Sequence, residues 1–404
     1  MKKVLFTLAL CVAATASFAQ KKAVSEAQSI AKGQNPDFGE ARTLIKGALE
    51  NAETKDDAKT WFVAGQIEDQ QFSNERTKQV LGQQPNEPVM YDALYAILPY
   101  FEKALVLDQQ PNEKGKIKPR FTKDIKSILS ANHVYYINGG AYYFDQQKYK
   151  EAYDFFEQYI AISNMDIFKD TPTAARDSNF MMVQFYAAAA ASLMKDSKLA
   201  IAALERAKAF DYRANDVYQY LCFEYEQAKD SVKLEQTLEE GMKKFPEEPY
   251  YLLSLINSYI YSNRNEKAIE FLDAAIAKDG NNAQLYDVKG RVYENIKDYA
   301  NAETNFQKAL EINPEYIESL TNLGRVYYNQ AVNKKDEANA LTDKAEYEKA
   351  EAAAKDLFKK ALPYFEKAHK LKPDARDNMI ALRGIYYNLN MNAEFDAIEA
   401  EMNQ

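Results

Sequence analysis

Histidine and cysteine are scarce in this sequence of 404 residues, which contains two of each. His133 and His369 lie far apart along the chain. Catalysis by a nucleophile and a base usually recruits histidine, and Cys/His metal sites need several such ligands together. The sequence therefore predicts no enzyme of that kind, no metal site and no cofactor. Among 60 acidic residues, carboxylate pairs of the glycosidase type occur by chance alone. Such pairs therefore do not distinguish a glycosidase from a protein without that activity.

Basic residues, glycine, proline and long apolar runs are also limited. Lys plus Arg number 51 against 60 Asp plus Glu, and this net charge of -9 argues against a nucleic-acid partner. With 13 Gly, 12 Pro and 47% hydrophobic residues, the chain is predicted to fold and not to be of low complexity. The most apolar later stretch, Phe180–Met194, contains Gln184 and is shorter than the roughly 18 residues that span a bilayer, so we expect no membrane insertion.

Residues 1–19 have the layout of a secretory signal peptide. A pair of lysines precedes an apolar run, and Ser17-Phe18-Ala19 forms a small-x-small cleavage site. We therefore expect a mature chain that begins at Gln20 and is exported to the periplasm. Cys11 follows Leu10 inside the apolar run, which does not fit a lipid-modified cysteine, and its removal leaves Cys222 without an intrachain disulfide partner.

Internal repetition organises the rest of the chain, with a helix–turn–helix pattern that recurs every 34 residues between Asp216 and Pro314. Residues 283–316 carry the aromatic, small and proline positions Tyr286, Gly290, Tyr293, Ala302, Phe306, Ala309 and Pro314. This spacing resembles the tetratricopeptide repeat, with Lys289 as a departure where that family prefers Leu. Stepping back by 34 residues, twice, gives two further units in the same register.

The remaining chain fits the register when insertions are allowed. The heptapeptide Leu98–Ala104, LPYFEKA, recurs as Leu362–Ala368 in the same repeat positions. Residues Asp336–Lys360 are rich in Ala, Glu, Lys and Asp, a composition that favours an inserted helical hairpin. The predicted organisation is a signal peptide at 1–19, divergent units with insertions at 22–128, a regular array at 129–316, and an elongated unit plus a C-terminal capping unit at 317–404.

The resemblance implies an all-α, right-handed α-solenoid of tetratricopeptide helical hairpins. A single hairpin cannot bury its apolar stripe, and the next hairpin closes the core by stacking on it. Gly140, Gly290 and Gly324 occupy small positions, where we expect helices to approach most closely. Cys222 occupies another small position and is expected to be a buried packing thiol.

The resemblance also implies a concave groove, because in this family the second, fifth, ninth and twelfth positions of each first helix line it. Arg291 and Arg325 both occupy the ninth position, and together they could hold carboxylates of an acidic or C-terminal peptide. Pairing of Arg291 with Asp287 and Glu294 on its own helix is the competing interpretation. The predicted peptide-binding groove consists of Ile137, Phe144, Phe185, Tyr250, Asn257, Arg291, Arg325, Tyr328 and Tyr387.

These features predict a non-enzymatic scaffold that binds proteins or extended peptides, since Tyr and Arg are prominent in binding hot spots. A glycan-binding protein is one alternative, because starch-binding outer-membrane lipoproteins also embed such repeats and tyrosine stacks on sugars. The missing lipid anchor and the single tryptophan, Trp61, argue against it. An α/α-barrel hydrolase is a second alternative, which the strict 34-residue register disfavours.

Overall fold

A computed structural model describes residues 20–111 and 115–403, and every regular element in those ranges is helical. The predicted signal peptide, residues 1–19, lies outside them. In the described part of the chain, no helix combines the length and apolarity needed to cross a membrane. The predicted all-α class is therefore confirmed. The odd-numbered helices are called first helices below, and the even-numbered ones second helices.

The chain divides into two compact units, Met1–Asp230 and Ser231–Gln404. Successive hairpins pack on one another within each unit, as in an α-solenoid. Two short 3₁₀ turns, Asp166–Phe168 and Pro172–Ala174, follow helix α6. The described helices of the N-terminal unit are α1 (residues 20–31), α2 (Phe38–Glu50), α3 (Ala58–Val80), α4 (Glu87–Asp108), α5 (Thr122–Asp145), α6 (Tyr149–Asn164), α7 (Ser178–Leu193), α8 (Ser197–Ala207) and α9 (Ala214–Gln227).

The C-terminal unit continues the same alternation of first and second helices. Helices α15 and α16 are the longest of this unit and are joined by a turn at residues 340–343. Residues 336–360 extend these two helices beyond the length of the neighbouring hairpins. The helices of this unit are α10 (Ser231–Lys244), α11 (Pro249–Tyr261), α12 (Asn265–Lys278), α13 (Ala283–Asn295), α14 (Tyr299–Ile312), α15 (Ile317–Asn339), α16 (Lys344–Leu371), α17 (Arg376–Leu389) and α18 (Asn392–Met402).

The repeat positions explain where the helices begin and end. Asp298 caps α14 by accepting a hydrogen bond from the backbone N–H of Asn301, and Asn282 caps α13 in the same way through Gln284. The predicted boundary between residues 128 and 129 falls inside α5, because the first helix of that hairpin starts at Thr122. The predicted boundary after residue 316 coincides with the start of α15.

A glycine on the first helix receives an aromatic ring from the second helix in several hairpins. A Cβ atom added to Gly290 would lie 2.6 Å from the Phe306 ring, and one added to Gly140 would lie 2.2 Å from Phe156. The same arrangement joins Gly324 to Phe365, at 2.9 Å. Only a residue without a side chain leaves room for these rings, so the predicted close approach at the small positions is present.

Cys222 lies at the small position of α9 and is buried, with 1% of its surface exposed. Burial raises the pKa of its thiol to about 12, which keeps the thiol protonated at neutral pH. The side chain therefore packs as a small apolar group.

The glycine positions give a stability prediction. Replacing Gly290 with leucine should lower the free energy of unfolding by about 1–3 kcal/mol, because the new side chain collides with the buried Phe306 ring. Lys349, exposed on α16, is the control, and its replacement by alanine should change stability by no more than about 0.5 kcal/mol. Thermal melts of both variants measure the difference. Equal shifts would mean that the repeat register is misassigned.

Candidate peptide-binding surface

The C-terminal unit presents equivalent positions on its successive first helices. Asn257 on α11, Arg291 on α13 and Arg325 on α15 are spaced by 34 residues, and each is exposed. We call the surface formed by these helices and α17 the first-helix surface. Six of the nine residues predicted for the groove lie on it: Tyr250, Asn257, Arg291, Arg325, Tyr328 and Tyr387.

Arg325 is held by a carboxylate of the preceding first helix. Its Nε donates to Oε1 of Glu294 at 3.1 Å, and its second terminal nitrogen donates to Oε2 at 2.7 Å. The hydrogen bond with Glu294 raises the pKa of the Arg325 guanidinium, which stays charged. The two charges therefore offset each other, and a ligand carboxylate at Arg325 would have to compete with a bidentate partner.

Arg291 has no such partner among the residues that the structure describes. Glu294, one of the two local carboxylates considered for it, is bonded to Arg325 instead. The other, Asp287, is buried, and its Oδ1 accepts hydrogen bonds from Ser319 Oγ at 2.7 Å and Asn322 Nδ2 at 2.9 Å. In the described ranges no ion pair or hydrogen bond therefore joins Arg291 to either carboxylate, although its charge still acts on Asp287, and the exposed Arg291 offers its guanidinium donors to solvent.

The buried carboxyl of Asp287 interacts with the charge of Arg291. Burial raises the pKa of the Asp287 carboxyl, while the hydrogen bonds from Ser319 and Asn322 and the charge of Arg291 act in the opposite direction. Asp287 is buried and its Oδ1 already accepts two hydrogen bonds, so it interacts with Arg291 through its charge and not through an ion-pair contact. Sequence analysis missed Ser319 and Asn322, although polar residues 32 and 35 positions after Asp287 are close to one repeat away and could have indicated the contact.

Tyrosines border the two arginines on the later first helices. Tyr328 is half-buried edge-on against Phe358, and its hydroxyl covers Gly384, where an added Cβ would lie 2.5 Å from the hydroxyl oxygen. Tyr387 is far more open, with 69% of its surface exposed and Lys335 Nζ 6.0 Å from its ring centroid. Tyr387 therefore supplies an accessible aromatic face, whereas Tyr328 mainly fixes the contact between α15 and α17.

The other three predicted groove residues, Ile137, Phe144 and Phe185, belong to the N-terminal unit and take part in packing. Ile137 and Phe144 are half-buried against its core. Phe185 is 3% exposed, lies edge-on to Tyr212 and is covered by the Arg213 guanidinium 4.6 Å from its ring centroid. The prediction that Phe185 lines an open groove does not fit this burial, which arises because side chains after α8 cover the ring.

The described residues contain no group of three or more His, Cys, Asp or Glu side chains arranged to hold a metal ion. The side chains on the first-helix surface are instead suited to charge-assisted hydrogen bonding and aromatic contact. These are the interactions that hold an extended peptide.

One hairpin of the chain matches a known repeat family. The tetratricopeptide repeat model matches residues 283–316, the hairpin that carries Arg291. No curated protein sequence matches the chain. Among solved structures, the C-terminal part of a TPR repeat-containing protein from Cytophaga hutchinsonii is 14% identical, with 65% of this chain and 92% of that chain covered and a TM-score of 0.43.

Two further structures show similar coverage of their own chains. A TPR repeats protein from Bacteroides fragilis is 18% identical, covering 66% of this chain and 98% of that one, with a TM-score of 0.32. MamA from Desulfovibrio magneticus is 14% identical, covering 50% and 99%, with a TM-score of 0.35. Residues 283–316 therefore form a tetratricopeptide repeat, and helical hairpins recur on both sides of it.

Proposed function

We propose that this protein is a non-enzymatic adaptor that binds an extended segment of a partner protein on the first-helix surface, with Arg291 contacting a carboxylate of that segment. A tetratricopeptide scaffold supports a role in protein interaction in general. The observation that carries the finer proposal is the exposed Arg291 guanidinium, which has no carboxylate partner among the described residues.

The neighbourhood of Arg291 favours a peptide with an acidic group. A planar guanidinium binds carboxylates through two parallel hydrogen bonds, which fixes orientation as well as adding affinity. Arg325 is already paired with Glu294, so the net charge of that pair is zero. Arg291 therefore carries the unpaired positive charge of the two arginines. Exposed Asn257 and Tyr387 supply polar and aromatic contacts along the same set of helices.

Trp61, the single tryptophan, is half-buried and engaged by its neighbours. Its indole Nε1 donates to the carbonyl of Lys55 at 2.6 Å, and its ring packs 6.2 Å from that of Tyr100. Lys103 Nζ lies 6.0 Å from the same ring. These contacts support the peptide interpretation over the glycan alternative.

The experiment compares two pools of randomised nine-residue peptides that differ only at the C-terminus. One pool carries free carboxylates and the other carries amides, and fluorescence anisotropy measures binding of each to the full chain. We expect the carboxylate pool to bind more tightly, with a preference that weakens as salt is raised. Equal binding of the two pools, or a preference for the amides, would refute a carboxylate site.

We also propose export to the periplasm, supported by the layout of residues 1–19. Mass spectrometry of the protein purified from its natural host should find an N-terminus at Gln20, either free or cyclised, and no lipid. An acylated Cys11, or a chain that retains Met1, would contradict this prediction.

A further inference from the structure

The recurring heptapeptide LPYFEKA is used differently in its two copies. In both, the phenylalanine packs on a first-helix glycine: Phe101 on Gly65 and Phe365 on Gly324. The glutamate after Phe365, Glu366, accepts a hydrogen bond from the Tyr386 hydroxyl of the following first helix at 3.4 Å. Glu102 occupies the corresponding position in α4. The structure gives Glu102 no hydrogen bond or ion pair with any described residue.

A glutamate–tyrosine pair between neighbouring hairpins is common in this chain. Tyr225 donates to Glu205 at 2.6 Å, and Tyr327 donates to Glu303 at 2.5 Å. These pairs satisfy a second-helix carboxylate within the protein itself. Glu102 departs from the pattern, because Tyr143 of the following first helix, α5, donates to Asp92 of α4 instead, at 3.3 Å.

Glu102 instead lies between two adjoining cavities on the outer side of α4 and α6. Both cavities include it, with volumes of about 320 Å³ and 380 Å³. We call them together the α4–α6 groove. The first is also lined by Tyr95, Leu98, Pro99, Asp154, Glu157, Gln158 and Ala161, and the second by Leu105, Val106, Met165, Asp166 and Ile167.

The charges around the groove are unevenly satisfied. Asp154 is paired with Lys150 at 2.5 Å, and Glu157 is paired with Arg206. Glu102 and Asp166 have no cation within ion-pair distance in the described ranges. Glu102 is exposed, and the partial desolvation of its carboxyl raises its pKa. A positive charge placed beside Glu102 would find a carboxylate that has no competing ion pair in the described ranges.

The first cavity also has an unused hydrogen-bond acceptor. Pro99 has no N–H, so within α4 the carbonyl of Tyr95 lacks its usual helical donor. Gln158 Nε2 donates to that carbonyl at 3.0 Å from α6. This fixes the amide orientation and leaves its Oε1 buried without a hydrogen bond. This oxygen is shielded from solvent, so the polar group that the groove offers to a ligand is the exposed Glu102 carboxylate.

The second cavity is mostly apolar. Val106 is 61% exposed at its edge, and Leu105, Met165 and Ile167 form its wall. An aliphatic side chain placed here would remove exposed apolar surface from water, at about 25 cal/mol per Å². The groove therefore combines a negative centre with an apolar flank.

We propose that the α4–α6 groove is a second interaction surface, which binds a lysine or arginine side chain of a partner protein beside an aliphatic residue. The cation pairs with Glu102, and the aliphatic neighbour occupies the cavity of Leu105, Val106 and Ile167. Charge complementarity selects this occupant over an acidic segment. The groove lies on the N-terminal unit and uses none of the residues of the first-helix surface, so it goes beyond the peptide-binding role proposed above.

The test uses nine-residue peptides with acetylated N-termini, amidated C-termini and no acidic residues, so that no carboxylate is present for Arg291. One pool has a fixed central arginine, and the matched pool has citrulline, which keeps the shape and removes the charge. We expect the full chain to bind the arginine pool at least tenfold more tightly. The Glu102→Gln variant should lose this preference while keeping the same melting temperature.

Glu366→Gln is the matched control, because it makes the same change in the second copy of the heptapeptide. It should keep the preference for arginine. A Val106→Arg variant, which places a cation of this chain at the groove, should bind the arginine pool at least tenfold more weakly than the parent. The proposal fails if the parent binds both pools equally, or if Glu102→Gln retains the preference.

Discussion

Replacing Phe306 with alanine is expected to lower the free energy of unfolding by about 3–5 kcal/mol. The ring is fully buried at 0% exposure and fills the space opposite Gly290 in the hairpin of α13 and α14. Truncation removes the apolar contacts of the ring and leaves a cavity. The cavity stays open because the backbone hydrogen bonds of α13 and α14 keep both helices rigid. Chemical denaturation monitored by circular dichroism measures the change.

Tyr261→Ala is the control for Phe306→Ala, because it removes a ring of similar size from the same unit. Tyr261 is 88% exposed, so its loss should change stability by no more than about 0.5 kcal/mol. A Phe306→Ala variant as stable as the control would show that the glycine and aromatic positions do not hold the hairpin together.

The second large effect is expected on binding. The double variant Arg291→Ala, Arg325→Ala should bind the carboxylate peptide pool about thirtyfold more weakly, a loss of about 2 kcal/mol, measured by fluorescence anisotropy at fixed salt. Most of this loss should already appear in Arg291→Ala, since Arg325 is engaged by Glu294. Arg291→Ala alone should hardly change stability, because Arg291 has no ion pair among the described residues. Arg325→Ala should cost more, because it leaves Glu294, whose side chain is 16% exposed, without its partner.

Lys308→Ala provides the binding control. Lys308 is an exposed cation on the second helix α14 and is paired with Glu311 at 2.7 Å. Its removal changes the net charge by the same amount as Arg291→Ala but leaves the first-helix surface intact. A double arginine variant that binds as tightly as the parent at matched salt would exclude the arginines as the carboxylate site.

The sequence predicts the hairpin packing well because that packing is local and periodic. Gly290 and Phe306 are separated by a single turn, and their spacing alone places ring against backbone. Side-chain pairing between hairpins is harder to predict. Glu294 could pair with Arg291 on its own helix or with Arg325 one repeat later, and only the geometry of the stacked helices shows that Arg325 is its partner.

Burial of aromatic residues on the first helices was the least predictable feature. Phe185 fits a groove position by register, yet residues of the following connection and helix cover it. The 34-residue spacing does not predict the conformation of the connection between α8 and α9, which places Tyr212 against the Phe185 ring. The unused carboxylate of Glu102 is likewise invisible in the sequence, where its heptapeptide is identical to the one that contains Glu366.

Site-specific photo-crosslinking tests most directly whether the first-helix surface binds the partner segment. A photoreactive benzoylphenylalanine replaces exposed Asn257 on first helix α11 in one variant and exposed Gln307 on second helix α14 in another. With the carboxylate peptide pool, the account predicts a crosslinked product from position 257, competed by unlabelled peptide, and none from position 307. Crosslinking from position 307 with none from position 257 would contradict it.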